Sequence, residues 1–281
     1  MLPRLRDPLR RSGPRATRLV AGPQRPADVE AGGIDFAASL GGMARTMVPG
    51  TLAERVAHDL VGRAVGDPLT DELAAWLAGS AQFRSFVEMH RDKIRKKLRV
   101  AVDAESRRDV RVELRTAYLL LADRRMAMVF EAYGSGKVGP DFTVTFRGER
   151  GFNLEVTRMR RTPDVAGFTG LLLAKLRQLP PSAPNALLVA IDGERADVLD
   201  VAAAARALRA RADGKDGAFF AGRGFEGTRG FYERYLRLGA VFVSCEGAAG
   251  DARAAMWINR SARIALPGRA ALACMRCLRA A

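Results

Sequence analysis

The order in which apolar patterns follow one another along this chain predicts an α/β fold. A central mixed β-sheet should be flanked by helices and preceded by an N-terminal helical extension. Three observations carry that expectation. Residues 139–157, GPDFTVTFRGERGFNLEVT, hold two short runs that alternate apolar and polar around a glycine-bearing turn. A helical pattern over 165–179 follows and stops at PPSAPN. Then NALLVAID, 185–192, is a continuous apolar run, as expected of a strand covered on both faces. Antiparallel strands leading through a helical crossover into a buried strand make a mixed sheet.

Taken in order, the chain opens on MLPRLRDPLRRSGPRATRLV, rich in Arg and Pro with one acid, Asp7. The prolines spoil a long amphipathic targeting helix, and no apolar core of a secretory signal is present, so 1–50 reads as a basic, disordered tail. Residues 51–104 read as the helical extension. There DPLTDELAAWLAGSAQF offers an N-cap ahead of Leu73, Trp76 and Leu77 at helical spacing. SFVEMHRDKIRKKLRVAVD puts Phe86, Met89, Ile94 and Leu98 roughly on one side, with Arg91, Lys93, Arg95, Lys96, Lys97 and Arg99 elsewhere. The α/β domain is assigned to 105–281. It begins with a helix over 106–121, whose stripe is Val110, Leu114, Ala117, Tyr118 and Leu121, and a strand over 127–133. Gly134, Ser135 and Gly136 break the chain before the hairpin; with Lys137 they lack the spacing of a phosphate-binding P-loop. Beyond 192 come an Ala-rich helix over 198–211, the Gly-rich stretch AGRGFEGTRG read as a flexible loop, a helix over 229–237, and strands over 240–245 and 255–258. No internal repeat is visible.

Composition narrows the partners. The 281 residues carry 46 Lys and Arg against 31 Asp and Glu, a formal charge of +15, and lysine stands only at 93, 96, 97, 137, 175 and 215. Coding bias accounts for arginine over lysine but not for base over acid. A field of that sign attracts polyanions, nucleic acid first among them, and the helix bearing Arg95, Lys96 and Lys97 is a candidate phosphate-binding element. No apolar run approaches the ~20 residues a membrane span needs, so a soluble, cytoplasmic protein is expected. Three cysteines are too few for a disulfide framework. Cys274 and Cys277 fall on one face of a helix and lack partners for a zinc site, since the only histidines, His58 and His90, are far upstream. Two histidines also leave no persuasive Ser-His-Asp triad.

The hairpin carries the chemistry. Side chains alternate across a strand, so Phe142, Val144 and Phe146 share one face, and Asp141, Thr143 and Thr145 the other. On the second strand Phe152, Leu154 and Val156 oppose Asn153, Glu155 and Thr157. With both apolar sets facing the core, Asp141 and Glu155 emerge on one side. A turn at Gly148 and Gly151 sets Asp141 opposite residue 157 or 158, close to Glu155. Neighbouring carboxylates repel and raise each other's pKa. A divalent cation removes that penalty, and oxygen ligands without histidine suit Mg²⁺ or Mn²⁺. The plain alternative is a Pro-Asp turn followed by an exposed strand glutamate.

Pro140-Asp141, Glu155-Val156-Thr157 and the order of elements over about 105–192 resemble the PD-(D/E)XK phosphodiesterase superfamily, the restriction-endonuclease-like fold. The resemblance implies metal ligands at Asp141 and Glu155, and an additional acidic ligand at Glu113 in VELRTAYLLL. It also gives Lys175 and Gln178, in LLAKLRQLP, a familiar place on the following helix. Thr157 departs from the pattern, because the family has a lysine there that orients the attacking water and offsets phosphate charge. Lys175 or Arg158 would have to reach back and take that role; arginine is the poorer candidate because it stays protonated. The expectation is a Mg²⁺- or Mn²⁺-dependent nuclease acting on nucleic acid, DNA first, with Asp141, Glu155, Lys175 and Thr157 at the reaction centre. The alternative is a catalytically decayed nuclease fold that binds nucleic acid or acts as a scaffold.

Overall fold

The structure, a computed structural model, describes residues 50–62, 67–133, 139–160, 164–192, 199–246 and 252–280. The expected basic tail, all but its last residue, and the Gly134–Lys137 break lie outside them. Four short helices open the described chain: α1 (Leu52–Val61), α2 (Pro68–Gly79), α3 (Ala81–Met89) and α4 (Arg91–Val100). Their starts follow from local chemistry. Thr51 and Glu54 form a reciprocal capping box, Asp67 caps α2 ahead of Pro68, and the Ser80 hydroxyl accepts from the Phe83 N–H. α5 (Ala104–Leu120) begins on Asp103, whose carboxylate accepts from the Ser106 N–H.

Six strands follow in a sheet whose spatial order is the chain order. They are β1 (Met126–Phe130), β2 (Phe142–Phe146), β3 (Phe152–Met159), β4 (Asn185–Ile191), β5 (Leu238–Glu246) and β6 (Ala252–Ile258). β1 to β3 form an antiparallel meander, β3, β4 and β5 run parallel, and β6 returns antiparallel on β5. The crossover from β3 to β4 is α6 (Val165–Leu176). That from β4 to β5 contains α7 (Val201–Asp213), α8 (Gly217–Ala221) and α9 (Gly227–Tyr235), and α10 (Gly268–Arg279) ends the described chain. The fold is α/β, a six-stranded mixed sheet flanked by helices.

Alternation along the strands feeds two apolar layers. Phe142, Val144, Leu154, Val156, Leu188 and Phe242 join α1 to α5 and α10 on one face. Leu187, Val189, Val241 and Val243 join α6 to α9 on the other. Cover on both sides explains why 185–192 reads as unbroken apolar sequence. Asn185, wholly buried at the start of β4, is tolerated there because its amide donates to the carbonyls of Pro180, Ala183 and Arg237 and its oxygen accepts from Asn153.

Several sequence expectations need correction. The hairpin turn closes at Arg147 and Gly148, both in the left-handed region (φ 54° and 69°), with the Glu149 N–H donating to the Phe146 carbonyl. This earlier turn pairs Phe142 with Leu154 and so brings Asp141 to the level of Glu155, not of 157 or 158. Residues 85–103 are two helices, not one, and the break at His90 leaves Met89 exposed instead of on an apolar stripe. The Gly-rich stretch 221–230 joins α8 to α9, and its Phe225 is buried against Phe220 and Phe231. Cys274 and Cys277 do share α10, both buried. No helix among the described residues is long and apolar enough to cross a membrane.

Candidate active site

Five elements converge near the start of β2. Asp141 immediately precedes that strand, Glu155 sits mid-way along β3, and Glu113 comes from the third turn of α5. Lys97, in the last turn of α4, sets its ammonium against Glu113 Oε2 and 3.1 Å from Asp141 Oδ1, with Glu131 Oε1 at 3.9 Å. Lys175, in the last turn of α6, donates to Glu155 Oε1 at 2.6 Å and lies 3.4 Å from Gln178 Oε1. Asp141 is also tied to the sheet. Its Oδ2 accepts from the Val156 N–H at 2.8 Å, fixing the carboxylate to the backbone of β3.

Glu113 and Glu155 are 7% and 4% exposed, so neither is the exposed strand or helix glutamate that the sequence alone allows. β3 is covered by helices on both faces, and its polar side is therefore interior. Burial, with the charge of Asp141 adding to it, raises the Glu113 carboxyl well above the usual range against the pull of Lys97. The same causes push Glu155 up to about 7, with Lys175 opposing. Burial alone would lower the Lys97 ammonium, but Glu113 and Asp141 outweigh it and hold the lysine above its ordinary pKa.

Charge and donor type test the fit to a divalent cation. If ionised, Glu113, Glu131, Asp141 and Glu155 exceed the two ammonium groups by two negative charges, and every acidic donor is a carboxylate oxygen, the ligand class of Mg²⁺ and Mn²⁺. Glu113 Oε2 is buried, and among the described residues its one partner is the Lys97 ammonium. Lys97 thus stands in for a cation between Glu113 and Asp141. Among the described residues no group of three or more His, Cys, Asp or Glu side chains is already arranged to hold a metal ion.

The remaining sequence candidates separate. Thr157, half-buried, follows Glu155 by two residues on the same side of β3 and contributes a hydroxyl without a charge. Arg158, buried on the opposite side, is held by Glu105, Asp109 and Asp192, so it does not reach the acidic cluster. Of Arg158 and Lys175, only Lys175 contacts the acidic cluster, through Glu155. Arg95, Lys96 and Lys97 do not form one basic face, since consecutive helical residues point about 100° apart. Arg95 pairs with Asp59, Lys96 is exposed, and Lys97 turns inward. Sequence reasoning missed the inward role of Lys97 and the approach of Glu131. Spacing held a signal for the first: Lys97 lies three residues after buried Ile94 and four before buried Ala101.

No family model, no curated protein and no solved structure matches this chain. The class of the site therefore rests on its own geometry: buried carboxylates from a helix and two adjacent strands, countered by two lysines from flanking helices.

Proposed function

We propose that the chain is a metal-dependent phosphodiesterase acting on nucleic acid, DNA in the first instance, built on a restriction-endonuclease-like core. The observation that carries this reading is the meeting of Glu113, Asp141 and Glu155 with Lys175, from helix, strand, strand and crossover helix in that order. Those acids would hold Mg²⁺ or Mn²⁺, which when bound lowers the pKa of a water and steadies charge on a departing oxygen. The chain's own groups supply the rest. The Val156 N–H orients Asp141, and Lys175 fixes the Glu155 carboxylate while offering a cation to the phosphate that Thr157 cannot.

Cleavage of duplex DNA and of RNA, with Mg²⁺ and with Mn²⁺, tests this. Lys175→Ala should lower the rate by about 100-fold or more, the scale of losing one electrostatic group at a reacting centre. It should keep Mn²⁺ binding, because lysine is not a ligand. Thr157→Lys in that background should restore part of the rate. A Lys175→Ala variant that cuts as fast as the parent removes lysine from the reaction.

A second reading, a decayed site that binds nucleic acid without cutting it, is favoured by Thr157 and by Lys97, whose ammonium lies between two of the acids. A parent that cuts neither DNA nor RNA with either metal would establish it in place of the first.

A further inference from the structure

Basic side chains are distributed unevenly over this molecule. Around α1 to α5 and β3 many arginines have an acid beside them: Arg91 and Arg95 share Asp59, Arg107 meets Asp67, Arg111 meets Glu72 and Glu246, and Arg160 meets Asp109. The ends of α6 and α9 differ. Arg177, the residue that caps α6, is exposed and lies over Gly224, whose missing side chain makes room for it. Arg234 donates to the Arg177 carbonyl at 3.4 Å, and Arg237 to the Leu179 carbonyl at 3.1 Å. The Arg263 N–H donates to the Leu236 carbonyl at 2.8 Å, which brings that exposed residue to the same corner.

Among the described residues no carboxylate lies within ion-pairing distance of these four arginines; Glu233, on α9 beside them, is engaged by Arg229 at 3.1 Å. Burial and then the like charges of Arg234 and Arg263 depress the Arg237 pKa, outweighing the opposing charge of Glu233. These contacts with the carbonyls of Arg177 and Leu179, at and just past the end of α6, use one donor on Arg234 and one on Arg237. A guanidinium has five, so most remain for a ligand. The corner begins two residues after Lys175 on the same helix, next to Gln178, which touches that lysine.

We propose that Arg177, Arg234, Arg237 and Arg263 form a track for the phosphate backbone of nucleic acid, leading strands to the acidic cluster. This rests on reading that cluster as a phosphodiesterase site. Guanidinium groups match phosphate oxygens in pairs, and clustered arginines of this kind displace condensed counterions. An anionic membrane surface is the poorer fit, because no large exposed apolar side chain falls on the last turn of α6, on α9 or on the described segments joining them.

The test is binding of a fluorescein-labelled DNA duplex, without divalent metal, as a function of salt. Replacing Arg234, Arg237 and Arg263 together with Gln should reduce the slope of log affinity against log salt by about 2–3, near 0.9 for each phosphate no longer neutralised. Replacing Arg95 and Lys96 should leave the slope within about one of the parent, since that helix is not on the track. The triple Lys variant should restore the slope. If the triple Gln variant fails to fold, Arg263→Glu alone should still weaken binding, because its side chain is exposed and the substitution disturbs no packing. A folded variant with parental slope and affinity overturns the track. So does loss of binding to phosphatidylserine vesicles with duplex binding unchanged, which would assign the corner to a membrane. A parent that binds DNA through these arginines yet never cuts leaves the track standing and removes the phosphodiesterase reading. Cleavage by a parent whose variants bind unchanged removes the track alone.

Discussion

Replacing Lys97 with Met should destabilise the metal-free protein by up to about 3–5 kcal/mol at a pH where Glu113 is ionised, the cost of stripping a buried carboxylate of its partner. Lys97 touches Glu113 and Asp141 together, and among the described residues Glu113 Oε2 has no other partner to fall back on. Methionine keeps most of the side-chain volume, so the loss reports the ammonium, including its place over the Phe130 ring, more than a cavity. Two rescues follow. Lowering the pH should recover much of the deficit, because protonating Glu113 and Glu155 removes the repulsion the lysine had offset. Mn²⁺ should recover it too, by about 2.7 kcal/mol at a hundred times its dissociation constant. Urea unfolding with and without Mn²⁺ measures both. Parental stability in Lys97→Met would show that the acids do not depend on this ammonium.

Glu155→Gln should act in the opposite direction. The Glu155 carboxyl is raised from 4.5 to about 7, even after the favourable interaction with Lys175 is counted. A folded-state pKa above the unfolded value means that the native protein holds its proton longer. Stability from this group is therefore complete at low pH and is lost as pH rises from about 4.5 to about 7. An amide imitates the protonated acid at every pH. The variant should equal the parent near pH ~4 and exceed it above pH ~7 by about 1–3 kcal/mol, discounted from the full shift because the group is coupled to its neighbours. It should also lose cleavage, since an amide is a poor metal ligand. A variant less stable than the parent at high pH would make the Glu155–Lys175 pair a structural support. Stability gained where function is lost is the expected signature of a site held under electrostatic strain.

How much of this was legible depended on whether the determinant was local. Asp141 and Glu155 could be paired from the period-2 pattern of the hairpin, because alternation fixes which side chains share a face. Their register could not, because Arg147 takes a left-handed conformation usual for Gly or Asn and closes the turn early. Lys175 could be anticipated from a helix returning beside β3. Lys97 was marked only as an inward-facing position by its spacing from Ile94 and Ala101; its reach to the acids depends on how α4 packs after the break at His90. The burial of Asn153 and Glu155 was hidden for a related reason. An alternating strand looks half-exposed until α6 is known to cover its polar side. The antiparallel meander and the helical crossover into β4 were read from apolar runs and turn residues, while α8 was obscured by glycines that here bound a short helix.

The most direct test of the acidic cluster as a cation site is calorimetric titration of the purified protein with Mn²⁺ near pH ~8, on the parent, Asp141→Asn and Glu155→Gln. Asn at 141 can still accept from the Val156 N–H, so the fold is kept while a charged ligand is removed. If Glu113, Asp141 and Glu155 hold the metal, the parent binds Mn²⁺ with release of protons from the raised carboxyls, and each variant binds at least about tenfold more weakly, a loss of about 1.4 kcal/mol. A parent that takes up no Mn²⁺, or variants that bind it as tightly as the parent, would contradict that assignment.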